Sequence, residues 1–528
     1  MSAEGSHRGR VHHLYLGSIL ILAAALRLAY LTQPLIDWFT WREASTAMMA
    51  DNLPRNGWSP FWPEVSWTGD QTGYQGREFQ ILTYVAACLD QTLGWRDWHG
   101  RLAAMLFGLA TVVSLHNLVL RLRNAWDARA AALVYALLPA AIVIDTSYLP
   151  DPAMVALVTL ALWLLVKGLQ EHSPVMIWAA SGAGILAILA KLPALAVLPA
   201  AFYLVWNLPS NIARRKRVSV FGVWLCFAIV LVGAYYSWTI YLGRTYPPYH
   251  IAGQGYIWGD GITEFLSKLF YVKAAFSQVR TWLWGWPIMV LCAVALCSPA
   301  GSGQDSAAAG RPTTEKILAP WIFHIWLGGF VLVYLVTARE IVEQPWNFHI
   351  ASPAIAALAG IGFVNVSTLG RNNKEFSTFA RAFALIVMIL ASGLVGSKEV
   401  KLTYLATADH ELGDALAKLA GPDELVVVSG GIAGNPVAIY YSRRRGWIFP
   451  LPDYFTVYME DGEPAIAVIK DLSRRGARWF GVVKSAADLS DPPQTFMQHH
   501  RRLLGYLATN HSLEADSSNY QIYKLREP

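Results

Sequence analysis

Apolar runs close to the roughly 20 residues that cross a hydrocarbon core of about 30 Å recur along the first 397 positions. They fall near 13–33, 100–120, 128–145, 152–168, 175–190, 192–207, 218–240, 281–298, 318–336, 349–368 and 379–397, and predict eleven membrane spans. The first run carries Arg27, is long, and is followed by no cleavage site, so it is expected to stay as an anchor rather than leave as a signal peptide. Between the first two runs, residues 34–99 form a long loop rich in Trp, Gly and charge. Two short helices are predicted in it, Glu43–Asn56 and Glu78–Leu93. Gln80, Asp90 and Gln91 make the second too polar for a span, so it reads as an interfacial helix. A second loop, 241–280, contains Tyr246-Pro-Pro-Tyr249-His250.

After residue 398 the pattern changes. Helical periodicity at Glu411–Leu419, Ala465–Arg475 and Thr495–Thr509 alternates with strand-like runs at Glu424–Ser429, Gly446–Phe449, Ala477–Val483 and Tyr520–Leu525; Pro436–Tyr441 starts a further helix. That alternation predicts a small α/β layer domain. Gly430-Gly431-Ile432-Ala433-Gly434 after the first strand resembles a loose phosphate-binding turn, but it lacks the full spacing and reads better as a tight strand-to-helix turn. A short Gly/Ser/Ala loop occupies 299–310. The expected architecture is a mainly α polytopic membrane module, 1–397, followed by a C-terminal soluble α/β domain, 398–528.

Composition sharpens this. Only 15% of the 528 residues are charged, against roughly 25% in soluble domains. With 55% apolar residues and a mean hydropathy of +0.35, the chain cannot clothe a water-facing surface of its own size. Its four cysteines (Cys88, Cys226, Cys292, Cys297) have no metal spacing, and the last three lie in apolar runs. The net charge of +6 is informative by position. Arg8 and Arg10, then Arg121, Arg123 and Arg129, then Arg214–Arg217, then Arg371 and Lys374 all fall on one side if the spans alternate. The excess of Lys and Arg in inner loops makes that side the cytoplasm. The N-terminus is then inside, and residues beyond 398 are outside, as expected of a multi-pass protein of a bacterial inner membrane.

Charge at membrane depth is costly and marks function. On this topology Asp37, Glu78, Asp145, Asp151, Lys191 and His349 all gather at the outward ends of the spans. Taken singly, each has an ordinary reading. Asp151 before a helix can cap it, Lys191 can snorkel to head groups, Asp37 can be solvated, and His349 can be a hydrogen-bonded packing residue. The set is stronger than its members. Inner loops are short and poor in carboxylates, which argues against a nucleotide-sugar donor, and nothing in the pattern points to nucleic acid.

The chain resembles the GT-C superfamily of membrane glycosyltransferases, in the polyprenyl-phosphate-sugar-dependent branch that includes protein O-mannosyltransferases and lipid A aminoarabinose transferases. The resemblance covers about residues 10–370 and lies in order and spacing: Asp37 soon after the first span, Arg77-Glu-Phe-Gln-Ile-Leu82, Trp98-His-Gly-Arg101 leading into the second span, Ala128-Arg-Ala-Ala-Ala-Leu, Tyr148-Leu-Pro-Asp151-Pro, and Gly184-Ile-Leu-Ala-Ile-Leu-Ala-Lys191-Leu-Pro. It departs where Phe79-Gln80 replaces the usual Pro-Pro and where Trp38 replaces an acidic residue. The first departure leaves the use of Glu78, metal ligation included, open.

What the resemblance implies is an inverting glycosyltransferase, hexosyl or pentosyl. It would move a sugar from a polyprenyl phosphate to an acceptor hydroxyl of a glycan, lipid or protein outside the membrane. Asp37 is then the general base, and Lys191 contacts the departing phosphate with Arg77 or Arg244 assisting. Asp151 matches a second catalytic carboxylate of the family, orienting the acceptor or the first loop, and Glu78 and His349 complete the substrate-binding set. A divalent metal is left open as cofactor. The alternative is a transporter or flippase of lipid-linked sugars, which would be expected to show related halves; none is seen in the sequence. A non-catalytic glycan-assembly partner is a third reading, suited to Trp38, Trp41, Trp58, Trp62 and Trp67 in the outer loop, although Trp also populates membrane interfaces.

Overall fold

The computed structural model describes residues 3–251, 269–297, 317–368, 375–430, 434–449, 459–485 and 495–526. The loop at 299–310 and residues 431–433 of the glycine turn lie outside the described residues. Helix occupies each of the eleven apolar stretches, but several are interrupted where backbone chemistry requires it. Helices Ala125–Leu137 and Pro139–Ile144 part at Leu138, whose extended backbone is the conformation a following proline imposes. Helix Pro174–Ala190 stops at Lys191, extended at φ −170° and ψ 134°; Pro193 follows in a 3₁₀ turn, Leu192–Val197, before helix Leu198–Asn207. Gly285, at φ 78°, with Pro287 two residues on, lies at a 108° bend between Phe270–Leu283 and Trp286–Cys297.

These interruptions shorten the helices. Among the described residues five are long and apolar enough to cross a membrane, His99–Leu122, Asp151–Glu171, Arg214–Thr245, Pro345–Thr368 and Phe376–Lys401, or up to six if the bent pair is one span. Their burial separates two roles. The apolar window of Pro345–Thr368 is 83% buried, whereas those of Arg214–Thr245 and Phe376–Lys401 are 11% and 17% buried. Apolar helices that exposed are stable facing lipid and not facing water.

By their contacts the residues group into two compact units. Unit 1 is Met1–Leu31, Arg101–Tyr236 and Gly253–Val400. Its centre is helix Ser352–Thr368, packed against Ala125–Leu137 and Trp286–Cys297. Glycines permit the approach: a Cβ on Gly360 would lie 2.5 Å from the Ala131 nitrogen, and one on Gly362 would lie 1.9 Å from the Leu291 carbonyl oxygen. Small residues at such crossings let helix backbones touch where no hydrophobic drive separates helix from lipid.

Unit 2 is Thr32–Gly100, Ser237–Ala252 and Lys401–Pro528. Strands β1 (Glu64–Val65) and β2 (Gly73–Tyr74) form a small antiparallel pair. The main sheet has β3 (Leu425–Ser429), β4 (Gly446–Ile448), β5 (Ala477–Val483), β6 (Ser512–Asp516) and β7 (Tyr520–Lys524) in the order β4-β3-β5-β7-β6. β3 runs parallel to both neighbours, and β7 antiparallel to both of its own. Val426, Val427 and Val428 are fully buried, as a central strand covered on both faces requires. The edge of β4 is covered by the chain at 66–69: Gly69 N–H donates to Gly446 O (2.7 Å) and Gly446 N–H to Ser66 O (3.0 Å). The two predicted helices of the 34–99 loop are present as Thr40–Asn52 and Ile81–Leu93. The predicted helix 495–509 is two, Phe496–His499 and Arg501–Asn510, broken at His500. β6 is an edge strand with Leu513 exposed, and its Ser-Leu-Glu-Ala-Asp sequence gave no strand pattern.

Gly362→Leu is expected to destabilise unit 1 by about 1–3 kcal/mol by forcing the helix crossing apart. Thermal unfolding in detergent checks this; an unchanged transition contradicts the tight crossing.

Candidate functional site

Of the charged residues singled out from sequence, Asp37, Arg77, Asp145, Asp151, Lys191 and His349 are buried, Glu78 is partly buried and Arg244 is exposed. In unit 1, Asp145 terminates helix Pro139–Ile144 and has no solvent exposure. Its Oδ2 accepts from Arg27 Nη2 at 2.8 Å and Nε at 3.2 Å. Its Oδ1 lies 3.1 Å from His349 Nε2, whose ring is also 3.1 Å from Ser352 Oγ through Nδ1. Arg27 uses Nη1 on the carbonyls of Ala23 and Ala136. Gly108 makes room for Asp145, since a Cβ there would lie 2.4 Å from its carboxyl carbon. Arg27, Asp145 and His349 therefore lock the first helix, the Pro139 break and the 3₁₀ turn Pro345–Ala351 together.

The second pair of unit 1 arises from two helix ends. Asp151 begins helix Asp151–Glu171, and Lys191 sits at the break after Pro174–Ala190. Lys191 Nζ is 2.9 Å from both Asp151 oxygens. Asp151 is fully buried and Lys191 is 6% exposed; the ammonium also faces the Trp346 ring at 5.9 Å. An ammonium has three donors. Two go to Asp151, so one remains for an anion.

In unit 2, Asp37 is fully buried. Its Oδ2 accepts from Lys401 Nζ at 2.9 Å and its Oδ1 from the Phe39 N–H at 3.0 Å. Gln33 donates to the Lys401 carbonyl. Glu78 is held by Arg42 at 2.6 Å, while Arg77, 3% exposed, donates to Ser45 Oγ. His250 stacks edge-on at 6.1 Å from Trp41. Burial, reinforced by Arg42, pushes its pKa down to about 4, so it is neutral at physiological pH. Arg244 is exposed in the last turn of Arg214–Thr245.

The structure thus brings Asp151 to Lys191 and Asp145 to His349, both pairs drawn from the set chosen from sequence, and gives Asp37 and Glu78 partners outside it, Lys401 and Arg42. Lys401 was legible only as a basic residue on the side where the inferred topology expects few. Arg42 sits in a polar stretch where nothing marks it. Among the described residues no three His, Cys, Asp or Glu side chains are grouped to hold a metal.

Unit 2 also has a polar cavity of about 440 Å³ lined by Asp51, Asp90, Trp95, Glu424, Arg443 and Arg444 among others. Trp95 Nε1 donates to Asp51 at 3.0 Å, and the Arg443 guanidinium stacks 4.3 Å from the Trp95 ring. Burial, with Asp90 adding repulsion, lifts the Asp51 carboxyl to about 7 against the pull of Trp95, Arg443 and Arg55.

Residues 81–238 match a family model described as dolichyl-phosphate-mannose-protein mannosyltransferase. The chain is similar in structure to ArnT from Cupriavidus metallidurans. With the apo state the TM-score is 0.58 at 13% identity, covering 98% of each chain. With the form bound to undecaprenyl phosphate it is 0.55 at 12% identity, covering 99% of this chain and 98% of that one. It is also similar to the oligosaccharyltransferase AglB from Archaeoglobus fulgidus, in complex with an inhibitory peptide and a dolichol-phosphate: TM-score 0.53, 12% identity, 90% of this chain and 70% of that one. No curated protein matches the sequence. The fold is that of the GT-C membrane glycosyltransferases.

Two outcomes follow. Lys401→Ala leaves Asp37 buried without its cation and is expected to cost about 3–5 kcal/mol, more than Lys401→Ala combined with Asp37→Leu; a double-mutant cycle on thermal stability measures it, and additive effects contradict the pairing. For Asp51, the folded pKa lies above the unfolded value of 3.8. Its contribution to stability is therefore present below 3.8 and lost as pH rises through about 7. Asp51→Asn is expected to raise the melting temperature over wild type increasingly between about pH 5 and pH 8. A pH-independent difference contradicts this.

Proposed function

We propose that the protein transfers a sugar from a polyprenyl phosphate to an acceptor hydroxyl at the outer face of a bacterial inner membrane, its eleven apolar helices all lying within the bilayer and residues 398–528 forming an extracytoplasmic domain. The observation that carries this reading is the Lys191–Asp151 pair. It is a buried ammonium at a helix break with one donor unspent, in a chain similar over its whole length to a structure that holds undecaprenyl phosphate.

In the proposed reaction the acceptor oxygen attacks the anomeric carbon as the bond from that carbon to the phosphate oxygen breaks, inverting configuration. The acceptor proton passes to Asp37. Lys401 holds the Asp37 carboxylate through Oδ2, and the acceptor hydroxyl replaces the Phe39 N–H on Oδ1. The electron pair leaves on the phosphate, whose growing charge Lys191 meets with its third N–H, with Arg77 or Arg244 assisting. Asp151 fixes the ammonium rather than touching the sugar. Glu78 acts through Arg42, and His349 holds Asp145. A divalent metal is not needed to balance these steps.

The test is transfer of labelled sugar in reconstituted liposomes, supplying a panel of polyprenyl-phosphate sugars and an envelope extract as acceptor. Wild type is expected to consume one donor; Asp37→Asn lowers turnover by about 10²-fold or more with donor affinity retained, and Lys191→Ala weakens donor binding. Folded protein that consumes no donor yet moves lipid-linked sugar across the bilayer overturns the proposal in favour of a flippase.

A further inference from the structure

Unit 1 contains a cavity that the proposed transfer does not use. Helices Asp151–Glu171, Pro174–Ala190, Leu198–Asn207 and Arg214–Thr245 enclose an apolar groove of about 190 Å³. Small side chains at Ala161, Ala180, Gly184 and Ala201 leave the space, and Phe221 and Trp224 wall it. An apolar cavity of this size has no partners for water and takes a hydrocarbon occupant. From Ile177 to Ile188 along one helix the groove extends roughly 17 Å at 1.5 Å per residue.

One end is strongly basic. Lys216 and Arg217 line it, within the run Arg214-Arg215-Lys216-Arg217 that opens helix Arg214–Thr245 with no acidic residue in its first turn. Four positive charges at a helix N-terminus oppose the macrodipole, which favours anions there. Arg217 is only 9% exposed. Its Nη1 donates to the Leu208 carbonyl at 2.7 Å, while its Nε is buried with no hydrogen-bond partner among the described residues. An unmade hydrogen bond on a buried guanidinium is costly, and a bound phosphate removes that cost.

We propose that this groove binds an anionic glycerophospholipid, one acyl chain lying along it and the phosphate resting on Arg217 and Lys216. The length and dryness of the groove select a chain over a free phosphate ion. The uncompensated basic end selects an anionic head group over a zwitterionic one. The proposed donor phosphate lies elsewhere: Lys191 flanks the opposite end of the groove, next to Ile188 and Ala194. The phospholipid therefore packs beneath the 3₁₀ turn that follows Lys191 and supports the position of its ammonium.

The test is native mass spectrometry and thermal stability of delipidated full-length protein in detergent with phosphatidylglycerol, phosphatidylcholine, polyprenyl phosphate or inorganic phosphate. Phosphatidylglycerol is expected to bind and stabilise better than phosphatidylcholine. Lys216→Gln, at an exposed side chain, removes about fivefold of that preference. Ala180→Leu, which fills the groove, abolishes binding of both. Equal binding of the two phospholipids, phosphatidylglycerol binding unaffected by Ala180→Leu, full stabilisation by inorganic phosphate, or displacement of phosphatidylglycerol by polyprenyl phosphate each overturns the assignment. Transfer activity is a separate readout, so its absence leaves these outcomes decisive.

Discussion

Arg27 and Asp145 meet at 2.8 Å with neither side chain exposed, in a chain that can spare few charges. Moving two such groups out of water is expensive, and losing one partner leaves the other uncompensated. The pair therefore constrains everything that touches it. Helix Ala3–Leu28 must present Arg27 to the Pro139–Ile144 segment, and Gly108 must stay small. His349 must carry its ring to the second Asp145 oxygen, which places the turn ahead of the central helix Ser352–Thr368. Tight glycine crossings then fix that helix against its neighbours. The scaffold is held by a few polar ties inside an apolar bundle, where burial alone distinguishes little between helix and lipid.

The same economy explains the broken helices. Backbone groups freed at a break cannot be left in hydrocarbon, so non-helical segments persist only where protein surrounds them. The breaks at Leu138 and Lys191 occur beside buried charged pairs, and the Lys191 break frees a lysine at the end of one helix to meet an aspartate at the start of another. Helix-end chemistry thus builds an anion-competent ammonium from local sequence signals: a proline two residues on, and an acid ahead of Pro152. In unit 2, Asp37 and Lys401 meet likewise, at the start of the 32–100 segment and at the end of the last long helix.

Much of this was legible along the chain. Hydrophobic runs located eleven helical stretches, though not the breaks within them, because length and apolarity are local properties. β3 was readable as a continuous apolar run because both faces of a central strand are covered, and β5 as a strand-like run beside it. What was not legible depends on partners distant in sequence. Asp37 and Lys401 are 364 positions apart, and no periodicity reports that they meet. The same holds for the covering of β4 by residues 66–69 and for the pairing of Glu78 with Arg42. The break at His500 escaped because no proline or glycine marks it, and the edge strand β6 because its five residues, Ser-Leu-Glu-Ala-Asp, include no β-branched or aromatic side chain.

In the proposed reaction Lys191 is the group that holds the donor phosphate. The most direct measurement is the structure of the full-length protein in nanodiscs with polyprenyl phosphate bound. The prediction is a phosphate oxygen about 3 Å from Lys191 Nζ, with Asp151 still accepting from the same ammonium. A phosphate bound elsewhere, with both Lys191–Asp151 contacts unchanged and no anion beside them, would contradict it.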